Sequence, residues 1–158
     1  MSACVVSGSF DPITIGHMDI IRRAKEIFDI VYVVMLINPE KSYCFTKEQR
    51  MMMLSRAVEG IAIPDFYDGY TVDYCKAKGI KHIIRGIRNI KSYAYEHNID
   101  QINRSINPEI STVYLPGVPE LADISSTLIR SKLEKAEDIS KYVPESIYAM
   151  IGEYYGKH

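Results

Sequence analysis

The chain is poor in cysteine, and this shortage limits what can hold the fold together. Among 158 residues only Cys4, Cys44 and Cys75 are cysteines. They are far apart, form no C-x-x-C pair, and do not cluster with histidines at the spacing of zinc ligands. We therefore expect free thiols rather than a disulfide framework or a structural zinc site, and a reducing compartment such as the cytoplasm.

The sequence also lacks an excess of charge of either sign and lacks long apolar runs. Its net charge is −1 and its calculated pI is about 6.4. No overall positive field is available to recruit nucleic acid or anionic lipid, so a basic site has to be a local cluster. No run approaches the roughly 20 apolar residues of a membrane span, and no signal-peptide pattern opens the chain. We expect a protein that binds neither nucleic acid nor membranes.

What the chain does contain is a regular alternation of apolar strands and amphipathic helices. With 47% hydrophobic residues, the chain has enough apolar side chains to form the core of one domain spanning residues 1–158. Strands are predicted at residues 3–7, 30–36, 61–63, 80–84 and 110–115. Helices are predicted at residues 17–28, 46–58, 71–78, 92–106 and 125–135, and from Pro144 onward. The alternation predicts an α/β fold, a Rossmann-like doubly wound sheet of five parallel strands.

Two details of this prediction can be checked directly. Pro64 interrupts the third strand, which favours a position at the sheet edge. Ile99, Ile102 and Ile106 recur at helical spacing in the fourth helix, which predicts that this face packs in the core.

Unusual polar residues follow the predicted strands rather than being scattered. Ser9–His17 follow the first strand, Lys41 the second, Arg85 and Arg88 the fourth, and Ser125–Arg130 the fifth. In parallel sheets, ligands bind beyond the carboxyl ends of the strands, where the strand order reverses. The glycine turn at the end of the first strand would also aim helix N–H groups at an anion. The sequence predicts one crevice that binds nucleotide phosphates.

These same residues carry a family resemblance. Gly8–Pro12 followed by Thr14–His17, and later Ile124–Arg130, resemble the two signatures of the T/H-x-G-H nucleotidylyltransferase superfamily. Within it, Lys41, the Ile84–Arg88 run and the Tyr95-Glu96 pair resemble bacterial phosphopantetheine adenylyltransferases, across essentially the whole chain.

The resemblance implies a reaction, a metal and an assembly. The reaction is transfer of the adenylyl group of ATP to 4′-phosphopantetheine, giving dephospho-coenzyme A and pyrophosphate by in-line attack, without a covalent enzyme intermediate. Mg²⁺ would accompany the nucleotide, with no direct protein ligand expected, and the chains would form a homohexamer. Some of the twelve tyrosines would then lie at subunit contacts.

The resemblance also assigns roles to residues. Catalysis is assigned to His17, Lys41, Ser9 and Arg88, with Ser9 standing where the family usually has threonine. Phosphopantetheine binding is assigned to Ser9, Lys41, Thr71 and Arg85. ATP binding is assigned to Ser9, Phe10, His17, Gly86, Ile87, Arg88, Glu96, Leu121, Ala122, Asp123, Ile124, Ser125, Ser126 and Thr127. Arg130 lies one turn beyond Ser126 in the same predicted helix. It would reach the phosphates or form a surface ion pair.

Two other interpretations share the signatures. One is another transferase of the superfamily, such as a nicotinamide-mononucleotide adenylyltransferase or a glycerol-phosphate cytidylyltransferase. The other is a nucleotide-binding module without catalytic activity. Lys41 and the Ile84–Arg88 run favour the phosphopantetheine enzyme.

Overall fold

The computed structural model describes residues 1–156, and they form one parallel sheet between helices. The strands are β1 Ala3–Gly8, β2 Ile30–Ile37, β3 Ile63–Asp68, β4 His82–Ile87 and β5 Ser111–Pro116. The helices are α1 Ile15–Ile27, α2 Lys47–Ala57, α3 Thr71–Lys78, α4 Ile90–Ile106, α5 Ser126–Glu134 and α6 Glu145–Tyr155. The strand order is β3-β2-β1-β4-β5, and every neighbouring pair is parallel. The predicted Rossmann-like α/β fold is confirmed.

Alternating side chains of the strands bury the two faces of the sheet in separate cores. Cys4 and Val6 of β1 pack in the larger core, together with residues of α1, α2, α5 and α6. Val5, between them, points into a smaller core with Val72 and Cys75 of α3. This alternation follows from the two-residue period of a strand. Both faces are buried, which explains the continuous apolar runs in β1 and β2.

Several predicted element bounds need correction. The third strand begins at Ile63 and runs through Pro64 to Asp68, so the prediction of 61–63 was wrong, although the edge position is confirmed. Edge strands tolerate proline because one side of the strand has no neighbouring strand. A residue without an N–H group therefore need not remove a hydrogen bond from the sheet. Helix α4 begins at Ile90, before the predicted start at residue 92, and is capped by Asn89, whose side chain accepts from Ser92 N. Pro144 is the N-cap of α6 rather than its first residue.

Helix α4 does not bury the face that its spacing predicted. Ile102 is 60% exposed and Ile106 is 52% exposed, and the only buried residue of the helix is Glu96. The prediction of a core face was wrong because the smaller core is filled by α3, and α4 contacts the sheet mainly near β4.

A close approach explains one glycine near the sheet's carboxyl edge. A Cβ on Gly86 of β4 would lie 3.1 Å from Cγ1 of Ile20 in α1. A side chain at this position would therefore require the Ile20 side chain to shift by a few tenths of an ångström. Of the helices in residues 1–156, none is long and apolar enough to cross a membrane.

Candidate active site

Two clefts open at the carboxyl ends of β1 and β4, where the strand order reverses. The register between these strands is set by a single pair, Val5 and Ile83, whereas the neighbouring ladders run over six residue pairs each. The first cleft has a volume of about 380 Å³ and the second about 790 Å³. The residues that line both are Ser7, Gly8, Ser9, Lys41, Arg85 and Glu96. The clefts therefore meet over the end of β1.

His17 is fixed in the first cleft by the capping box of α1. Thr14 is the N-cap, and its Oγ1 accepts from the N–H of His17 at 3.2 Å. In return, the N–H of Thr14 donates to Nδ1 of His17 at 3.0 Å. An imidazole that accepts at Nδ1 carries its proton on Nε2 when it is neutral, which leaves Nε2–H as a hydrogen-bond donor. The edge of the ring also contacts Phe10, with centroids 5.0 Å apart.

The surroundings of His17 keep it neutral. Burial is the main cause that lowers its pKa from 6.5 to about 4, and the positive charges of Arg85 and Arg88 lower it further. Near pH 7 the side chain is therefore an uncharged donor. It cannot accept a proton at Nδ1 without losing the bond from Thr14.

The start of α5 forms the opposite side of the first cleft. Ser125 caps this helix, with its Oγ accepting from Leu128 N at 3.1 Å. Ser126 Oγ donates to the carbonyl of Pro12 at 2.7 Å, so the two signature segments are joined directly. Thr127 lines the cleft, and its Oγ1 accepts from Arg130 at 3.1 Å. The helix start presents N–H groups without intrahelical partners, as a phosphate site requires.

Asp11 and Arg130 brace the loop between β1 and α1. The two carboxylate oxygens of Asp11 accept from the backbone N–H groups of Cys44 and Phe45, at 2.9 and 3.0 Å. Arg130 donates to the carbonyl of Asp11 at 2.8 Å and lies 3.7 Å from its carboxylate. Arg130 thus holds the loop and also lines the first cleft. Asp11 was not predicted as a site residue, although it lies within the first signature.

Lys41 and Ser9 meet at the junction of the clefts. Nζ of Lys41 donates to Oγ of Ser9 at 3.1 Å, across 32 residues of sequence. Lys41 comes from the loop after β2 and Ser9 from the loop after β1. The prediction that these two loops converge is confirmed.

Arg85 is held at the same junction by two acceptors. Its Nε and NH2 donate to the two carboxylate oxygens of Glu96 at 2.8 and 2.9 Å, and its NH1 donates to the carbonyl of Ser7 at 2.9 Å. Glu96 is only 8% exposed. A guanidinium has five N–H groups, so two remain for a ligand. The geometry assigns Glu96 to the orientation of Arg85 through a bidentate pair.

Most of the remaining residues that were predicted to bind ATP line the first cleft. The wall of the first cleft includes Gly86, Ile87, Arg88, Leu121, Ala122 and Ile124. NH1 of Arg88 donates to the carbonyl of Ala122 at 3.3 Å, joining the β4 end to the loop after β5. Asp123 does not line the first cleft itself, although its neighbours Ala122 and Ile124 do.

The second cleft is lined by polar side chains from distant segments. Thr71, at the first position of α3, donates to Oγ of Ser7 at 2.9 Å, which ties it to the junction. Thr112, which lines the same cleft, donates to Oδ1 of Asp100 at 2.6 Å. Asp100 and Thr112 were not predicted as site residues. Nothing in the local sequence marks them, because they become neighbours only when α4 packs beside β5.

The side chains that could act as metal ligands near the clefts show whether the protein could hold a metal ion. In residues 1–156, no group of three or more histidine, cysteine, aspartate or glutamate side chains is arranged to hold a metal ion. Asp11 accepts from two backbone N–H groups, and Glu96 is paired with Arg85, so each of these carboxylates already has partners in the protein.

Comparison with known proteins agrees with this geometry. Residues 5–132 match the cytidylyltransferase-like family. The phosphopantetheine adenylyltransferase of Staphylococcus carnosus is 36% identical over 158 residues, covering 99% of this chain and 98% of its own. The enzyme of the same name from Lachnoclostridium phytofermentans is 38% identical over 157 residues, covering 98% and 96%. A third, from Heliobacterium modesticaldum, is 35% identical, covering 99% and 94%.

Proposed function

This chain belongs to the phosphopantetheine adenylyltransferases, within the cytidylyltransferase-like family, and we propose that it joins ATP to 4′-phosphopantetheine. The products are dephospho-coenzyme A and pyrophosphate. The observation that carries the proposal is the meeting of two clefts at the Lys41–Ser9 pair. A reaction between two phosphorylated substrates needs two binding spaces that touch where the phosphates meet.

The first cleft suits the nucleotide. His17 offers an uncharged N–H donor, and the starts of α1 and α5 aim N–H groups and positive dipole ends into the cleft. Arg88 adds a charge on the wall formed by β4. These groups bind and neutralise the triphosphate, and donors fixed before the reaction stabilise charge that develops on the α-phosphate.

The second cleft suits the acceptor, with its phosphate at the junction and its arm along α3 and α4. Lys41 and Arg85 supply the positive charge for that phosphate. A phosphate monoester has a second pKa of about 6, so the attacking oxygen is already ionised near neutral pH. No protein base is required, and positioning of the two phosphates for in-line attack supplies the rate.

No covalent intermediate is needed for this chemistry. The cysteine near the junction, Cys44, is poorly suited to be a nucleophile, because burial and then the charge of Asp11 raise its pKa. Direct transfer from ATP to the acceptor phosphate is therefore the simplest mechanism. We propose that Mg²⁺ accompanies ATP and is held by the phosphates and by water, where it supplies additional neutralisation of charge.

The deciding experiment is an assay of pyrophosphate release with ATP, Mg²⁺ and a panel of acceptors. We expect turnover with 4′-phosphopantetheine and formation of dephospho-coenzyme A, identified by mass spectrometry. Preference for nicotinamide mononucleotide, or for CTP with glycerol phosphate, would assign the chain to another transferase of the superfamily. Nucleotide binding without turnover on any acceptor would instead indicate a non-catalytic module.

We also propose that the chain works as a homohexamer in the cytoplasm. The apolar face that α4 leaves exposed supports assembly, since Ile102 is 60% and Ile106 is 52% exposed. The three free cysteines are compatible with a reducing compartment. Sedimentation equilibrium of the wild type and of Ile102→Lys tests the assembly, with a mass of six chains expected for the wild type and a smaller mass for the variant.

A further inference from the structure

Arg50 is a buried charged side chain that lies outside the lining of both clefts. It belongs to α2, and only 2% of its surface is exposed. Its NH1 donates to the carbonyl of Ser9 at 2.9 Å. Among residues 1–156, its Nε has no hydrogen-bond partner and no carboxylate lies within salt-bridge distance. Burial of a guanidinium without a paired carboxylate is costly, and burial is the main cause that lowers the pKa of Arg50, which its interactions with Tyr43 and Asp11 offset in part.

Tyr43 connects this arginine to the loop that carries Lys41. The ring of Tyr43 lies against the Arg50 guanidinium, with Cζ of Arg50 3.8 Å from the ring centroid. The hydroxyl of Tyr43 accepts from the N–H of Asn38 at 3.0 Å. The loop closes on itself as Lys41 N donates to the carbonyl of Asn38 at 3.1 Å. The loop is thus anchored at its start by the same ring that covers Arg50.

Arg50 and Tyr43 contact the two segments that meet where the clefts join, the Ser9 backbone and the loop of Lys41. Arg50 holds the backbone of Ser9, and Tyr43 holds the loop of Lys41, whose Nζ lies 5.7 Å from the Tyr43 ring centroid. The side chains of Ser9 and Lys41 then meet at 3.1 Å. Arg50 and Tyr43, which contact each other, therefore link the backbone of Ser9 to the loop of Lys41. We call these two residues the Arg50–Tyr43 clamp.

We propose that the Arg50–Tyr43 clamp consists of positioning residues that set the distance between Ser9 and Lys41, and thereby the alignment of the two reacting phosphates. This inference rests on the proposed function. The clamp touches neither cleft, so it acts on the rate of transfer rather than on the binding of either substrate. A misplacement of about 1 Å in reacting groups can lower a rate about a hundredfold.

The first test compares Arg50→Met with Arg56→Met, a matched control that removes an exposed arginine from the same helix. For Arg50→Met we expect kcat to fall about 10- to 100-fold, with the KM for ATP changed less than about threefold. Arg56→Met is expected to match the wild type. Tyr43→Phe, which keeps the ring on the guanidinium, is expected to retain more activity than Tyr43→Leu. Wild-type kcat in both Arg50→Met and Tyr43→Leu would overturn the proposal.

A double-mutant cycle separates positioning from a structural role. If Arg50 acts through Ser9 and Lys41, the loss caused by Arg50→Met is expected to shrink at least severalfold in a Lys41→Ala background. The same fold-loss in both backgrounds would mean that Arg50 supports the fold as a whole, and would contradict the clamp. The cycle uses whichever acceptor the wild type turns over, so failure with 4′-phosphopantetheine overturns the proposed function alone.

Hydrogen exchange supplies a readout that does not depend on turnover. In Arg50→Met we expect amides of residues 8–10 and 38–43 to exchange at least severalfold faster, because both loops lose their common support. Amides of Cys4–Val6, within β1, are expected to keep their wild-type protection. Unchanged exchange in both loops, or equal acceleration throughout β1, would refute the clamp.

Discussion

The two clefts are built in different ways, although they share the end of β1. The first is assembled from helix starts whose geometry is set within a few residues, such as the Thr14–His17 capping box and the Ser125 cap of α5. The second is assembled from side chains that are distant in sequence, such as Thr71 on Ser7, 64 residues apart. The helix caps that face the first cleft, where we propose that the triphosphate binds, are therefore encoded locally, although long-range contacts such as Ser126 with Pro12 bring them together. In the second cleft, where we propose that the acceptor binds, the contacts between side chains form only when distant elements pack.

The largest effect is expected from His17→Ala, which tests the first cleft. The variant loses the Nε2–H donor, and we expect kcat to fall about 10²- to 10³-fold, as for removal of other fixed donors to a developing charge. Steady-state kinetics checks this, together with thermal unfolding to show that the fold persists. His97→Ala, which removes an exposed histidine of α4, is the control. Near-normal pyrophosphate release by His17→Ala would contradict the assigned role.

A smaller effect, confined to the second cleft, is expected from Glu96→Gln. The variant cannot offer two carboxylate oxygens to Arg85, so we expect the KM for the acceptor to rise about tenfold while the KM for ATP changes little. The resemblance had placed Glu96 in the ATP site. A rise mainly in the KM for ATP would support that role instead. Glu109→Gln, at an exposed position before β5, is the matched control.

The neutral state of His17 predicts a dependence of stability on pH. Its pKa is about 4 in the folded protein and ordinarily 6.5. Between these values the unfolded chain binds a proton that the folded chain does not, so the free energy of unfolding falls as the pH drops from 6.5 to 4. This contribution is complete above pH 6.5 and amounts to at most about 3 kcal/mol.

Urea unfolding at several pH values measures this effect against His17→Gln. Glutamine at the same position of a capping box can still accept from the N-cap N–H, so the helix start is expected to persist. The variant is expected to lose less stability on acidification than the wild type. Identical losses in the two proteins would exclude His17 as the titrating group.

The smallest effect is expected from Ser9→Thr at the junction. Threonine keeps the hydroxyl that accepts from Lys41, so we expect kcat to change by less than about a factor of three. Ser9→Ala, which removes the hydroxyl, provides the comparison and is expected to be clearly slower. Equal rates for the serine and alanine proteins would show that the hydroxyl takes no part in the reaction.

Much of the fold was predictable because its signals are local. The apolar runs of β1 and β2, the helix-start hydroxyls and the convergence of the loops after the strands follow from periodicity and from the rule for parallel sheets. The predictions were wrong where tertiary packing, rather than local spacing, determines which side chains are buried. The face of α4 with Ile102 and Ile106 has helical spacing, yet spacing alone does not tell which helix fills the limited space over the sheet.

The capped start of α1 follows from local residue types, because the contacts of its capping box join residues three apart. The convergence of the loops after the strands also follows from the sequence pattern, because parallel strands end at one edge of the sheet. Packing in three dimensions is what brings Glu96 to Arg85, the Asp11 carboxylate to Cys44, and Arg50 to the carbonyl of Ser9, 41 residues away. These contacts depend on three-dimensional packing, which no local pattern of residue types encodes.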